Sequence, residues 1–160
     1  MRARVHQPSV HPLAVRDGTA RRITRGLLAA AYVAAGVLHL TLPQPFVSIT
    51  PGWVPAAPLV VQLTGVAEVA GAIGLAQPWS ARLRRAAGWG LAAYALCVWP
   101  ANINHLMIDL ARPDQGLGWA YHGPRMLLQP MLIWAALWAS GAVGRNAKRH
   151  EESGADVERE

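Results

Sequence analysis

The sequence contains a single cysteine, Cys97, among its 160 residues. A disulfide within the chain, a CxxC redox pair and a metal cluster held by cysteines each need at least two cysteines. All three are therefore excluded as features of one chain. The dithiol oxidoreductases are excluded with them as a class of function.

Charged residues are nearly absent from the middle of the chain. Of the 15 basic and 9 acidic side chains, sixteen lie at or before Arg25 or from Arg145 onward. Glu68 is the only charged residue between Arg25 and Arg82. A soluble domain would spread its charges over all of its surface helices. The net charge of +6 would suit nucleic acid, but the basic residues flank apolar runs, so we predict no nucleic-acid partner.

Four apolar runs occupy the middle of the chain, at about residues 24–42, 58–77, 86–108 and 126–143. Each has about the 17–25 residues that a helix needs to cross a bilayer. We therefore predict an all-α fold, a bundle of four transmembrane helices over residues 23–144. The predicted domain is flanked by a mobile basic tail, 1–22, and a charged tail, 145–160.

The basic residues also predict the orientation in the membrane. Thirteen of the 15 lie in the two tails and in the connection between the second and third runs. Only Arg112 and Arg125 lie in or beside the other connections. Because basic residues concentrate on the cytoplasmic side, both termini are predicted to be cytoplasmic, N-in and C-in.

Glu68 lies at the centre of the second run. A carboxylate near the bilayer midplane costs about 2.5–3.5 kcal/mol, so it must face a polar partner or a polar interior. Small residues lie three or four positions away, at Thr64, Gly65, Gly71 and Ala72. They share its helical face and let a neighbouring helix approach closely. Glu68 is therefore expected to point into the bundle. It serves either as a structural hydrogen-bond group or as a group that handles a proton, and both interpretations stay open.

Further polar residues are predicted in the outer half of the bundle, on three different helices. They could form a functional pocket or simply join the helices by hydrogen bonds, since an amide in lipid needs a partner. A metal site is not assigned, because helix arithmetic places Glu68 about a turn deeper than the two histidines. The candidate binding residues are His39, Asn102, His105, Arg125 and Gln129.

The connection between the first and second runs, Pro43–Ala57, has no charge and four prolines. Phe46 and Trp53 within it suit a segment at the membrane interface. It is expected to act as a lid over the outer end of the bundle or as an interfacial anchor.

Three segments, Ala34–Leu75, Trp99–His105 and Arg125–Ala135, make the chain resemble the DoxX-like family of small bacterial membrane proteins. The family pattern falls here on Gly36, His39, Pro43, Phe46, Pro51, Pro55, Gly65, Glu68, Pro100, Ala101, Asn102, Arg125, Gln129 and Pro130. The resemblance covers about Leu27–Trp138 and implies a multi-pass protein of the bacterial inner (plasma) membrane. His105 departs from the methionine or aliphatic residue expected after the asparagine motif.

The family name comes from a subunit linked to thiosulfate:quinone oxidoreduction, and relatives include accessory proteins for maturing periplasmic enzymes. The favoured interpretation is thus an accessory or quinone-associated component of a membrane redox process, with Glu68 as the proton group. No motif for haem, a flavin or a nucleotide is recognisable, so catalysis by the chain alone is not expected and the electron carrier would be a quinone or a partner's cofactor. The alternatives are a membrane assembly or scaffold protein, and a small-solute or proton pathway with Glu68 as carrier. The expected partners are the lipid bilayer, a redox-enzyme or periplasmic subunit and a second copy of the chain.

Overall fold

A computed structural model describes residues 18–144 of the chain. In that range it contains five helices and no strand, which confirms the all-α class. The helices are α1 (Thr19–Thr41), α2 (Gln44–Ser48), α3 (Ala57–Ala76), α4 (Ala81–Leu110) and α5 (Gly118–Ser140). Most of the predicted N-terminal tail and all of the tail 145–160 lie outside the described residues.

Each predicted span corresponds to one long helix, but several helix ends are displaced. α1 begins at Thr19, so residues 19–22, predicted as tail, are helical. α4 begins at Ala81 rather than 86, and α5 begins at Gly118 rather than 126. Apolar runs mark the part of a helix that suits hydrocarbon, whereas a helix continues beyond it into residues that suit the interface. The hydropathy pattern therefore located the four long helices, and the helices extend beyond the predicted spans at these ends.

The connection between α3 and α4 is organised by the buried side chain of Gln77. Its Nε2 donates to the carbonyls of Ser80, at 2.7 Å, and Gly74, at 3.2 Å. Its Oε1 accepts from the Ser80 backbone N–H at 2.8 Å. Ser80 in turn caps α4, because its hydroxyl accepts from the Leu83 backbone N–H. One amide side chain thus pairs the polar groups of a tight helix-to-helix turn.

Replacing Gln77 with alanine is expected to lower the free energy of unfolding by about 1–3 kcal/mol, because backbone groups of the turn lose their partners. The melting temperature of the detergent-purified protein measures this. Gln62→Ala is the matched control, since Gln62 is an exposed glutamine of α3, the helix that Gln77 ends. An equal effect of both substitutions would contradict the assigned role.

The helices pack mainly in two pairs, α1 with α3 and α4 with α5, and α3 joins the pairs by packing on α4. The first pair is closest at two glycines. A Cβ atom on Gly36 would lie 2.7 Å from the Gly65 carbonyl oxygen, so the backbones are nearly in contact. Glycine permits this approach because it has no side chain. The buried apolar core comprises Leu28, Ala29, Tyr32, Ala72, Leu75, Leu91, Ala136 and Ala139.

Three helices, α1, α3 and α4, are long and apolar enough to cross a membrane. Large apolar side chains are exposed on each of them, for example Leu27, Leu63 and Leu96. Soluble monomers rarely expose such extended apolar surface, and lipid would cover it here. The described part of the chain thus has the character of a multi-pass membrane protein.

The beginning of α1 and the end of α5 lie side by side. Arg21 Nη2 donates to the Val143 carbonyl at 3.4 Å, and its guanidinium lies 5.1 Å from the ring centroid of Trp138. The chain therefore returns to the end of the bundle at which α1 starts.

Candidate functional site

Glu68 and His39 form a buried pair between α3 and α1. Glu68 is 3% exposed, which confirms that it points into the bundle. Its Oε2 lies 2.8 Å from His39 Nδ1, and the same nitrogen lies 2.9 Å from the Ala35 carbonyl. The ring N–H is aimed at the carbonyl, so the Glu68 contact is a close electrostatic one rather than an aligned hydrogen bond. Since both neighbours of Nδ1 are acceptors, Nδ1 carries the proton, and Nε2 of the neutral ring is an acceptor.

The pairing differs from the depth expected from the sequence, which placed Glu68 about a turn below His39. The difference arises at the α1–α3 crossing. A Cβ atom on Gly65 would lie 2.9 Å from the His39 Cβ, so His39 sits directly over the turn before Glu68. Helix arithmetic gives depth along a single axis and does not include how two axes cross. The His39 ring also stacks on Phe46 of α2, with centroids 3.8 Å apart.

A first cavity of about 180 Å³, the inner cavity, adjoins Glu68 at the middle of the bundle. Tyr32 and Tyr94 line it with their ring centroids 6.2 Å apart, and the Tyr32 hydroxyl is buried without a partner in the described part of the chain. Gln129 lines this cavity, but its Nε2 donates to the Ala95 carbonyl at 3.0 Å. The inner cavity therefore has polar side chains from four helices within a mainly apolar lining, and it is large enough for several water molecules.

A second cavity of about 250 Å³, the outer cavity, lies beneath α2 and the loop that follows it. Phe46, Ile49 and Trp53 contribute to its apolar wall, and His39 and Arg125 contribute polar groups. The loop is tied down because Asn104 Nδ2 donates to the Ile49 carbonyl at 2.9 Å. An apolar cavity with a few polar groups is the usual form of a small-molecule site. Three residues line both cavities: Tyr94, Val98 and Asn102.

Arg125 joins α5 to α4 at the wall of the outer cavity. Its Nη2 donates to the Asn102 side-chain oxygen, and its Nη1 lies 2.9 Å from His105 Nδ1. The guanidinium also lies 4.9 Å from the ring centroid of Tyr121. Arginine has five N–H donors, so further donors remain after these two contacts.

A cluster around Asp109 was not predicted as a site. Its Oδ2 accepts from the Leu117 backbone N–H at 3.0 Å and lies 2.9 Å from His122 Nε2 and 3.7 Å from His105 Nε2. His122 is 0% exposed, and Asp109 is 5% exposed. The i,i+4 spacing of His105 and Asp109 predicts that these two side chains lie close together on one helical face. His122 arrives from the far side of a loop, which no spacing rule anticipates.

The Asp109 cluster offers three ligand atoms within 4.8 Å of one another, a spacing that could hold a metal ion. A histidine that binds metal through Nε2 carries a proton on Nδ1 and donates it to an acceptor. His105 Nδ1 faces a guanidinium donor instead, and His122 Nδ1 has no partner among the described residues. The donor and acceptor pattern therefore fits a hydrogen-bonded carboxylate better than a metal centre.

The nearby loop also holds an exposed ion pair. Arg112 Nε donates to Asp114 Oδ1 at 3.0 Å, and both side chains are more than half exposed. The guanidinium lowers the pKa of the Asp114 carboxyl. This pair lies outside both cavities.

The sequence-predicted residues thus form two groups rather than a single set. His39 and Glu68 make one group, and Asn102, His105 and Arg125 make the other. Gln129 contacts neither group by a hydrogen bond, although it lines the inner cavity beside Glu68 and Asn102. Tyr32 and Tyr94 were missed because a tyrosine in an apolar run resembles any other core residue.

Comparison with known proteins places the chain in a family. No curated protein matches it, and no solved structure matches it either. Residues 28–140 match the family described as Domain of unknown function (DUF8561). The match spans most of the chain and includes both cavities and the Asp109 cluster. The chain therefore belongs to the DUF8561 family.

Proposed function

We propose that the chain is a four-span inner-membrane protein of DoxX-like type that binds a quinone or quinol in the outer cavity. It would act as an accessory component of a membrane redox process. Exposed apolar residues along α5, such as Leu127, Met131 and Trp134, support α5 as the fourth span. The contact between Arg21 and Val143 supports termini on one side of the membrane. The basic residues favour the cytoplasm as that side.

The observation that carries the proposal is the composition of the outer cavity wall. A quinone has a flat apolar ring with two oxygens and an apolar tail that stays in lipid. The cavity supplies an aromatic and aliphatic wall for the ring. His39 and Arg125 supply polar groups for the oxygens. Nine residues of the DoxX-like pattern line one or both cavities, and the five polar ones among them are His39, Glu68, Asn102, Arg125 and Gln129.

The His39–Glu68 pair gives this site its proton chemistry. Nε2 of His39 would accept one of the two protons that a quinol releases when its two electrons pass to a redox centre of a partner protein, and the second proton would pass to solvent. The resulting imidazolium is stabilised by the Glu68 carboxylate, 2.8 Å from Nδ1. Glu68 would thus stabilise the proton that His39 holds, without contacting the ligand. No step requires the chain itself to hold the electron acceptor, which agrees with an accessory role.

Quinone bound to the purified protein tests the proposal. Mass spectrometry of small molecules extracted from protein in mild detergent is expected to find about one quinone per wild-type chain. His39→Leu should lose most of it, because the ring no longer supplies a polar contact. Thr41→Val is the matched control near the end of the same helix, since Thr41 is exposed and, within residues 18–144, its hydroxyl donates to the Val37 carbonyl alone.

Glu68→Gln separates the proton role from binding. Glutamine keeps a polar group of similar size beside His39 but carries no charge that could stabilise an imidazolium, so the variant should hold oxidised quinone more weakly than quinol. If neither wild type nor variants contain quinone and all are equally stable, the proposal is wrong and an assembly or scaffold protein becomes the better interpretation.

A further inference from the structure

The positive charge of Arg125 has no carboxylate in direct contact among the described residues, and the nearest anion on its path is Asp109, beyond His105. Within the same residues, the two polar contacts of its guanidinium are the Asn102 oxygen and the His105 ring. The other ring nitrogen of His105 faces the Asp109 carboxylate at 3.7 Å. An imidazole therefore stands between the cation at the cavity wall and a buried anion.

The direction of these contacts follows from arginine chemistry. A guanidinium only donates, so His105 Nδ1 must be the acceptor. The neutral ring then carries its proton on Nε2, the nitrogen that faces Asp109 Oδ2. The distance of 3.7 Å is that of an electrostatic contact rather than a hydrogen bond. The arrangement Arg125–His105–Asp109 nevertheless has a single consistent polarity, with each positive end facing a negative one.

Asp109 is held in place independently of His105. The Leu117 backbone N–H and His122 Nε2 both contact Oδ2. Gly116, at φ +54°, lies so close that a side chain there would collide with the carboxylate. The loop between α4 and α5 thus closes around the anion and fixes its position. A carboxylate that is held in place can orient the His105 ring, and the oriented ring can in turn hold the Arg125 guanidinium.

We propose that Asp109 and His105 are positioning residues for the ligand site. They hold the guanidinium of Arg125 at the wall of the outer cavity, so that its remaining N–H groups face a ligand oxygen. This inference rests on the proposed function for its ligand, a quinone. The donor and acceptor order of the Arg125–His105–Asp109 contacts is a property of the protein alone. It assigns the α4–α5 loop a role in ligand affinity, although neither Asp109 nor His105 lines the cavity.

Substitutions at His105 distinguish positioning from packing. Glutamine can accept from Arg125 and donate toward Asp109, whereas leucine can do neither. His105→Leu and Asp109→Asn are expected to weaken binding of a soluble short-chain quinone about tenfold. His105→Gln should retain more of the affinity than His105→Leu does. Asp114→Asn is the control for Asp109→Asn, because Asp114 lies in the same loop and its contacts with Arg112 and with the Gly116 backbone N–H are exposed. Asparagine can still accept from that N–H.

The ring nitrogens of ¹⁵N-histidine-labelled protein provide a readout that does not need the ligand. NMR is expected to show His105 with a bare Nδ1 and a protonated Nε2, and Asp109→Asn should disturb that state. The opposite tautomer in wild type would overturn the inference. So would wild-type quinone affinity in both His105→Leu and Asp109→Asn. The expected tautomer in a wild-type protein that binds no quinone would instead overturn the proposed function and leave the Arg125–His105–Asp109 arrangement intact.

Discussion

Gly36→Leu is expected to lower the free energy of unfolding by about 3 kcal/mol, the upper end of the usual cost of overpacking. The Cβ atom of a new side chain would lie 2.7 Å from the Gly65 carbonyl oxygen and 2.8 Å from Val69 Cγ2. Backbone cannot move aside as a flexible side chain does, so α1 and α3 must separate. The separation would also pull His39 away from Glu68. The melting temperature in detergent measures the loss.

Gly26→Leu is the matched control for this prediction. Gly26 lies in the same helix, and a Cβ atom there would meet nothing within 4 Å. The control variant should therefore melt near the wild-type temperature. A Gly36→Leu variant that melts with it would show that the two helices do not cross as closely as described.

Arg125→Leu is expected to affect stability and binding together. Asn102 Oδ1 and His105 Nδ1, both partly buried, would each lose a donor, at a cost of about 1 kcal/mol for each. Quinone affinity should fall by about a hundredfold, since the outer cavity would lose its cation. Arg125→Lys should give an intermediate result, because lysine keeps the charge but lacks the planar fork that reaches two acceptors.

The control for Arg125 is Arg112→Leu. Arg112 is exposed and pairs with Asp114, and surface ion pairs contribute about 0–1 kcal/mol. The quinone affinity of Arg112→Leu, measured by titration with short-chain quinone, and its melting temperature should both be close to the wild-type values. Equal quinone affinity in Arg125→Leu and wild type would remove Arg125 from the ligand site.

The general fold was predictable because the length and spacing of apolar runs carry that information directly. The orientation of Glu68 was predictable for a similar reason, since small residues at offsets of three and four mark the face that meets another helix. The contact between His39 and Glu68 was not predictable. It depends on the crossing of two helices at Gly36 and Gly65, and the angle and depth of a crossing are not encoded within either helix.

The Asp109 cluster shows a second limit. His105 and Asp109 are one helical turn apart, but His122 reaches them only because the intervening loop folds back around the carboxylate. That fold depends on backbone with positive φ at Gln115 and Gly116. Spacing rules apply within one regular element and do not extend across such a loop.

The inner cavity has different surroundings at its two ends. Toward α2, it shares wall residues with the outer cavity, and His39 connects Glu68 to that side. In the other direction lie Leu75, Leu91 and Ala136, all fully buried and apolar. Among the described residues, polar side chains therefore lead to Glu68 from the α2 side, and apolar ones fill the opposite side. In this conformation the polar interior of the bundle resembles a vestibule on the α2 side, and a solute on its way to Glu68 would pass Tyr94 and Asn102, which line both cavities.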